Sequence, residues 1–308
     1  MEILNEQNTQ NEVIKTDNFI IISISGGVGK NILATAFVKA VKNQYPEMNI
    51  VVLTAWKEVW FFNPNVYRCY TFQSSLYFYE NYIKDKQNIK IFSIDPYQTE
   101  SYILKKEHLI NIWCNLFGIN FNGEKPELFF NQREIEFVQN NITKNDPILL
   151  IQTHGGSDAN NKHSWMRDLP PITAQQIVNK FGGELRIIHV RRDDQIPLQN
   201  TEQFKGNLRE LFVLVRESTK RLFIDSMCQH AAAALDKPSV VCWVRNSPHV
   251  LGYAMHTNIV SDASDELNSL DFSLLEPYDI SGNVMQCPFK EGTQLFNIEE
   301  IEQSLRND

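Results

Sequence analysis

Apolar residues along the chain fall into short continuous runs that alternate with stretches of helical spacing. The run at 20–24, inside "FIIISI", predicts a buried strand. After a glycine-rich stretch, Ile32, Leu33, Ala36, Phe37, Ala40 and Val41 repeat at helical spacing and form one apolar stripe. "NIVVLT" at 49–54 predicts the next strand, so the opening is a strand-helix-strand unit, which implies parallel pairing and an α/β fold. "NIKIFSID" at 88–95 predicts another strand, and 101–117 and 131–142 read as helical. At "TKNDP", 143–147, the pattern starts afresh. Strands are predicted at 148–154, 185–190, 221–225 and 239–244, and helices at 173–181, 207–218 and 226–235. Each half opens with a strand and a glycine loop, which predicts two Rossmann-like domains joined near 141–147. The last stretch, "NIEEIEQSLRND", predicts a short helix.

The chain has 308 residues, more than one core usually holds, which agrees with two domains. A net charge of -8 leaves no global field to hold nucleic acid, so no stable nucleic-acid partner is expected. The cysteines Cys69, Cys114, Cys228, Cys242 and Cys287 are scattered, with no C-x-x-C pair and no metal-ligand spacing. That excludes a disulfide framework or zinc site and fits a reducing, cytoplasmic setting. Residues 1–18 are polar and acidic and read as a disordered leader rather than a signal peptide. No apolar run approaches the length of a membrane span.

The stretch "SGGVGK" at 25–30 poses the first chemical question. A P-loop ATPase would need G-x-x-x-x-G-K-[ST]. Here the first glycine position is Ile24, the lysine is Lys30, and the Mg²⁺-binding hydroxyl is replaced by Asn31. "GGVGK" also resembles the loop of partitioning-type ATPases, but their second lysine is Ser25 here. Asp95, after "IFSI", stands where a Walker B carboxylate would. The alternative to a P-loop is a glycine turn that lets a helix start close against a strand.

More informative is "RLFIDSMCQHAAAALDKPSVVCWV", 221–244. Asp225 ends a strand and Ser226 begins a helix, so either can cap the first-turn amides, and that helix start favours anions. His230 lies one turn on, on the same face as Ser226. An ordinary capped helix with a satisfied histidine explains the segment equally well. The segment also resembles the "DSG-x-x-HLAAALGKP" signature of glycosyltransferase family 9, the ADP-heptose:lipopolysaccharide heptosyltransferases. Asp225, Ser226, His230 and "AAALDKPSVV" match it in type and spacing. "GGVGKNILATAFVKAVKNQYPEMNIVVL" resembles that family's opening segment, "FFNPNVYRCY" its "NP-x-[VI]-D", and "ILLIQTHGGSDANNKHSWMRDLP" its entry to the second domain. The likeness runs over roughly 19–255 and is most specific near 225–238.

The resemblance implies a GT-B architecture, two Rossmann-like domains facing a central cleft. The acceptor-side domain would span 19–143 and the nucleotide-sugar domain 147–296, with a terminal helix at 297–308 packing back on the first. It implies a metal-independent glycosyltransferase with no cofactor. A sugar would move from a nucleotide-diphosphate donor, ADP-heptose-like, to a glycan or other polymeric acceptor, in the cytoplasm and at the inner face of the membrane. Carried over residue by residue, Asp225, Ser226, Met227 and His230 would meet the donor, Gly155 and Gly156 would offer amides to phosphate, and Lys162 would supply a cation. Such a set can neutralise a leaving diphosphate without metal. Gly26, Gly27 and Gly29 would face the acceptor. Two departures stand out. Lys30 replaces the Asp that serves the family as general base, and a lysine accepts a proton near neutral pH only if its pKa is strongly lowered. The base role would then pass to Asp95 or Glu58, or Lys30 would hold an anionic acceptor, or the chain would bind nucleotide sugars without transferring them. Met227 replaces the glycine after "DS". The loop "RRDD" at 191–194 reads as a solvated charged loop, with Arg191 or Asp193 as the alternative nucleoside contact that the resemblance implies, the aromatic run "YFYENY" at 77–82 as packing or an acceptor platform, and Trp165 as structural.

Overall fold

The computed structural model describes residues 17–72, 76–144, 146–155, 164–262, 289–290 and 292–307. Two separate parallel sheets form the frame. The first has the order β3-β2-β1-β4, with β1 at Asn18–Ile24, β2 at Asn49–Thr54, β3 at Arg68–Thr71 and β4 at Asn88–Phe92. The second has the order β10-β9-β8-β5-β6-β7: β5 Ile148–Ile151, β6 Arg186–His189, β7 Glu202–Gln203, β8 Lys220–Ile224, β9 Val240–Trp243 and β10 Thr257–Val260. Continuous apolar strands such as "ILLI" of β5 are buried throughout, as parallel strands covered by helices on both faces must be.

Helix α1 (Val28–Gln44) returns the chain from β1 to β2. In the first half follow α2 (Phe78–Tyr82), α3 (Glu100–Ile103), α4 (Leu109–Leu116) and α5 (Gln132–Val138); the second half has α6 (Pro171–Phe181), α7 (Leu208–Glu217), α8 (Met227–Ala234), α9 (Pro248–Leu251) and α10 (Ile298–Asn307). The halves are not separate cores. Phe37 and Val38 of α1, Val213 of α7 and Ala231 and Ala232 of α8 belong to one buried cluster. The fully buried alanines let α8 approach α1 closely, and Lys125 pairs with Asp236 beyond the far end of α8 at 3.2 Å.

Several elements differ from the sequence pattern. The predicted helix at 101–117 is two short helices, because Lys105 takes a left-handed φ of 52° and His108 caps α4, its Nδ1 accepting from Ile110 N at 3.3 Å. The helix at 131–142 ends at Val138 and widens into a π-type turn, Gln139–Thr143. β4 stops at Phe92, and Asp95 turns to cap the next segment. Asn18 already pairs with Asn88 in β1 and so belongs to the sheet rather than to the expected leader, of which 1–16 lie outside the described residues. The terminal helix does not cross back to the first domain. Ile298, Ile301 and Leu305 of α10 bury against Ile177, Val178 and Phe181 of α6. Lys180 pairs with Glu302, and Arg306 with Glu184 at 3.1 Å, fixing α10 to the second domain.

Candidate active site

The glycine loop that follows β1 meets the start of the "DS" helix that follows β8. After β1, Gly26 takes φ +90°, a conformation that only glycine adopts without strain, and Gly27 opens α1. Gly29 has a different reason to be glycine. A Cβ on it would lie 2.8 Å from His230 Cδ2 and 3.4 Å from Met227 Cα, so α1 and α8 start in direct contact.

Lys30 is not a free cation. Its buried ammonium is paired with Asp95 and sits 4.5 Å from the centre of the Tyr97 ring and 5.8 Å from that of Trp113. Asp95 Oδ2 also accepts from Ser25 Oγ at 3.0 Å, while Oδ1 takes the Tyr97 amide at 3.0 Å. Burial lowers the Lys30 pKa, and the hydrogen bond and charge of Asp95 oppose that shift. Asn31, where a P-loop would place its Mg²⁺ hydroxyl, is wholly buried. It donates to Gly27 O at 3.1 Å and accepts from Thr54 Oγ1 at 2.5 Å and Trp60 Nε1 at 3.3 Å. With Asn31 turned inward and His230 against Gly29, the loop lacks the phosphate cradle of a P-loop.

On the opposite side, Asp225 is buried and accepts from Asn246 Nδ2. Burial raises its pKa, and the Arg167 charge and the Asn246 bond counter that only in part. Ser226 does not cap α8 with its hydroxyl. The capping group is Gln152 at the end of β5, whose Oε1 accepts the Cys228 amide at 3.4 Å and whose Nε2 donates to Ser226 Oγ at 3.1 Å. His230 is a neutral imidazole. Gln229 Nε2 can only donate, so His230 Nε2 accepts at 3.3 Å and Nδ1–H donates to Tyr253 Oη at 2.9 Å. Burial, with His108 and His256 nearby, holds its pKa down at about 3.

One expected contact is absent from the geometry. The Gly155 amide is not open to phosphate, because it donates to Asp168 Oδ1 at 2.8 Å; the buried Asp168 needs such donors and takes the Ser164 amide too, at 2.7 Å. Gly156 and Lys162 lie outside the described residues. Arg167 packs where a Gly155 side chain would go, its Nε 2.9 Å from the would-be Cβ, and its charge acts on both Asp225 and Tyr97. Glu58 is elsewhere. It lines a cavity with Arg133 and Arg209, and no hydrogen bond or ion pair joins it to Lys30 or Asp95. In the charged loop after β6, Asp193 accepts from Gln203 Nε2 at 2.8 Å, and Arg191 donates to Arg192 O at 2.9 Å. Trp165 packs on Phe289 beside the second core, and in the aromatic run Tyr82 is buried on Phe19 while Tyr77 and Tyr79 are exposed.

Gln152, Arg167, Asn246, Tyr97 and Tyr253 were not singled out from sequence. The available signal was weak: Gln152 is a polar residue ending an otherwise apolar strand, and Arg167 is a cation shortly after a glycine pair. Among the described residues no group of three or more His, Cys, Asp or Glu side chains is arranged to hold a metal ion, and no helix is long and apolar enough to cross a membrane.

No protein-family model matches the chain, and no curated protein matches its sequence. Solved structures do. A family 9 glycosyl transferase from Veillonella parvula superposes with a TM-score of 0.68 at 12% identity, covering 95% of this chain and 97% of its own. ADP-heptose lps heptosyltransferase II of E. coli gives 0.58 at 12% identity, covering 79% and 89%. An iron-containing dodecameric glycosyltransferase of enterotoxigenic E. coli gives 0.63 at 14%, covering 94% and 73%; its structure as a heptosyltransferase in complex with ADP-D-β-D-heptose gives 0.57. At such identities the likeness establishes the fold, which is GT-B: two Rossmann-like domains, each with a parallel sheet.

Proposed function

We propose that the protein is a glycosyltransferase that moves a sugar from a nucleotide-diphosphate donor, ADP-heptose-like, onto a glycan or other polymeric acceptor. The observation that carries this reading is the meeting of Gly29 with His230 and Met227. It brings the Lys30–Asp95 pair at the end of one sheet near Asp225, Arg167 and His230 at the end of the other. The likeness to structures described as heptosyltransferases, one of them with ADP-D-β-D-heptose, supports the donor class.

In this reading the acceptor hydroxyl attacks the anomeric carbon, the bond from that carbon to the diphosphate oxygen breaks, and Asp95 takes the hydroxyl proton. Lys30 and Ser25 orient Asp95 and replace the family's Asp as the organising group of the first loop. The start of α8 and the Arg167 charge receive the leaving diphosphate. A second reading, a nucleotide-sugar-binding protein without transfer, draws on one fact: both Asp95 oxygens are already engaged, by Lys30, Ser25 and the Tyr97 amide.

A thermal-shift screen of ADP-, UDP-, GDP- and CMP-sugars, followed by release of nucleoside diphosphate with and without EDTA, tests the proposal. Stabilisation by an ADP-sugar and EDTA-insensitive release with an acceptor are expected. Binding without any product would favour the second reading. Mg²⁺-dependent ATP hydrolysis lost in Lys30→Ala would overturn both.

A further inference from the structure

A cavity lies apart from the Lys30–Asp95 centre, and we propose that it is a subsite for a neutral saccharide. It measures about 520 Å³ and is walled by the turn Lys57–Trp60, one face of α5 and the start of α7, so both domains contribute. That volume falls within the roughly 300–1,000 Å³ of ordinary ligand sites.

Its floor is rigid. Arg209 is buried and bonds to Glu134 at 2.8 and 2.9 Å, to Glu58 O at 3.1 Å and to Phe129 O, with Phe130 4.5 Å from its guanidinium. Glu210 is likewise spent, capping Asn207. What remains uncommitted is the chemistry offered to a ligand. The Glu58 carboxylate and the Arg133 guanidinium both line the cavity, and neither makes a hydrogen bond or ion pair with a described residue. Phe137 adds a ring face that is 49% exposed, and Phe61 and Phe62 extend the apolar rim, 5.7 and 5.9 Å from Arg209.

This set selects among ligand classes. A phosphate or nucleotide would meet three carboxylates, and a polycation two guanidiniums. A hydroxyl both donates and accepts, so adjacent hydroxyls of a pyranose can serve Glu58, which only accepts, and Arg133, which only donates. The apolar face of the same ring can lie on Phe137. The saccharide would be the part of the acceptor remote from the reacting hydroxyl. That last assignment rests on the glycosyltransferase reading; the saccharide preference of the cavity does not.

The test is saturation-transfer NMR on the full chain with maltotriose, cellotriose and chitotriose, and with 3′-sialyllactose as the anionic competitor. At least one neutral trisaccharide should bind at millimolar concentration. Phe137→Ala and Arg133→Ala should each weaken it by about tenfold or more. Arg133 is exposed on α5, so its variant folds even if the other does not. No binding by any of the three, unchanged binding in Arg133→Ala, or preference for sialyllactose overturns the proposal. Donor turnover by the wild type separates the two readings. Turnover without trisaccharide binding removes the cavity proposal alone, and variant-sensitive binding without turnover removes the transferase reading alone.

Discussion

Adding one methyl group at Gly29 probes the contact on which the cleft depends. In Gly29→Ala the new Cβ would stand 2.8 Å from His230 Cδ2 and 3.4 Å from Met227 Cα. The ring cannot swing away freely, since it is buried and bonded to Tyr253 and Gln229. Overpacking of this kind costs about 1–3 kcal/mol. Replacing Gly by Ala in a helix returns at most about 0.8–1.0 kcal/mol, and less in a first turn. A net loss of about 0.5–2 kcal/mol is therefore expected in urea unfolding. His230→Ala removes the obstructing ring, so the double variant should be more stable than the sum of the two single effects by about 1–2 kcal/mol. Additivity within about 0.5 kcal/mol would mean that α1 and α8 do not touch in solution, and the assembled site would fall with that contact.

Asp95→Asn should lower sugar transfer by about 10²–10⁴-fold with little change in donor affinity, measured by product formation and calorimetry; unchanged turnover would remove Asp95 as base. Arg209→Ala should destabilise the chain by about 2–4 kcal/mol in denaturant titration, because it strands Glu134 and two carbonyls at the domain junction, and a loss near zero would show the junction open. His189 and His230, with pKa values lowered to about 3, and His256, lowered to about 4, fold as neutral rings that the unfolded chain protonates near 6.5. Their stabilisation is complete above about pH 6.5 and is lost as pH falls towards 3–4, at up to about 1.4 kcal/mol per pH unit for each ring. A urea midpoint that stays flat from pH 7 to 5 would contradict that burial.

Periodicity located most of the frame, because a buried parallel strand or an apolar helix stripe is a local pattern. β2 at Asn49–Thr54 coincides with "NIVVLT", and α6, α7 and α8 fall within two residues of the helical spacing. What periodicity missed was short or irregular. β3 and β10 are four-residue strands of mixed polarity, β7 is two polar residues, and the break at Lys105 lies in a stretch of continuous helical spacing.

The site divides along the same line. The "SGGVGK" loop and the "DS" helix start were legible as strand-end loops, because strand, turn and helix are contiguous in the chain. Their partners were not. Lys30 and Asp95 are 65 residues apart, and Gln152 and Ser226 are 74 apart. The neutral state of His230, the inward turn of Asn31 and the loss of the Gly155 amide to Asp168 all follow from which groups become neighbours after burial. The order of residues specifies which segments are strands and helices. Desolvation and hydrogen-bond satisfaction in the packed chain decide which polar groups remain available for chemistry, and both act only once distant segments have met.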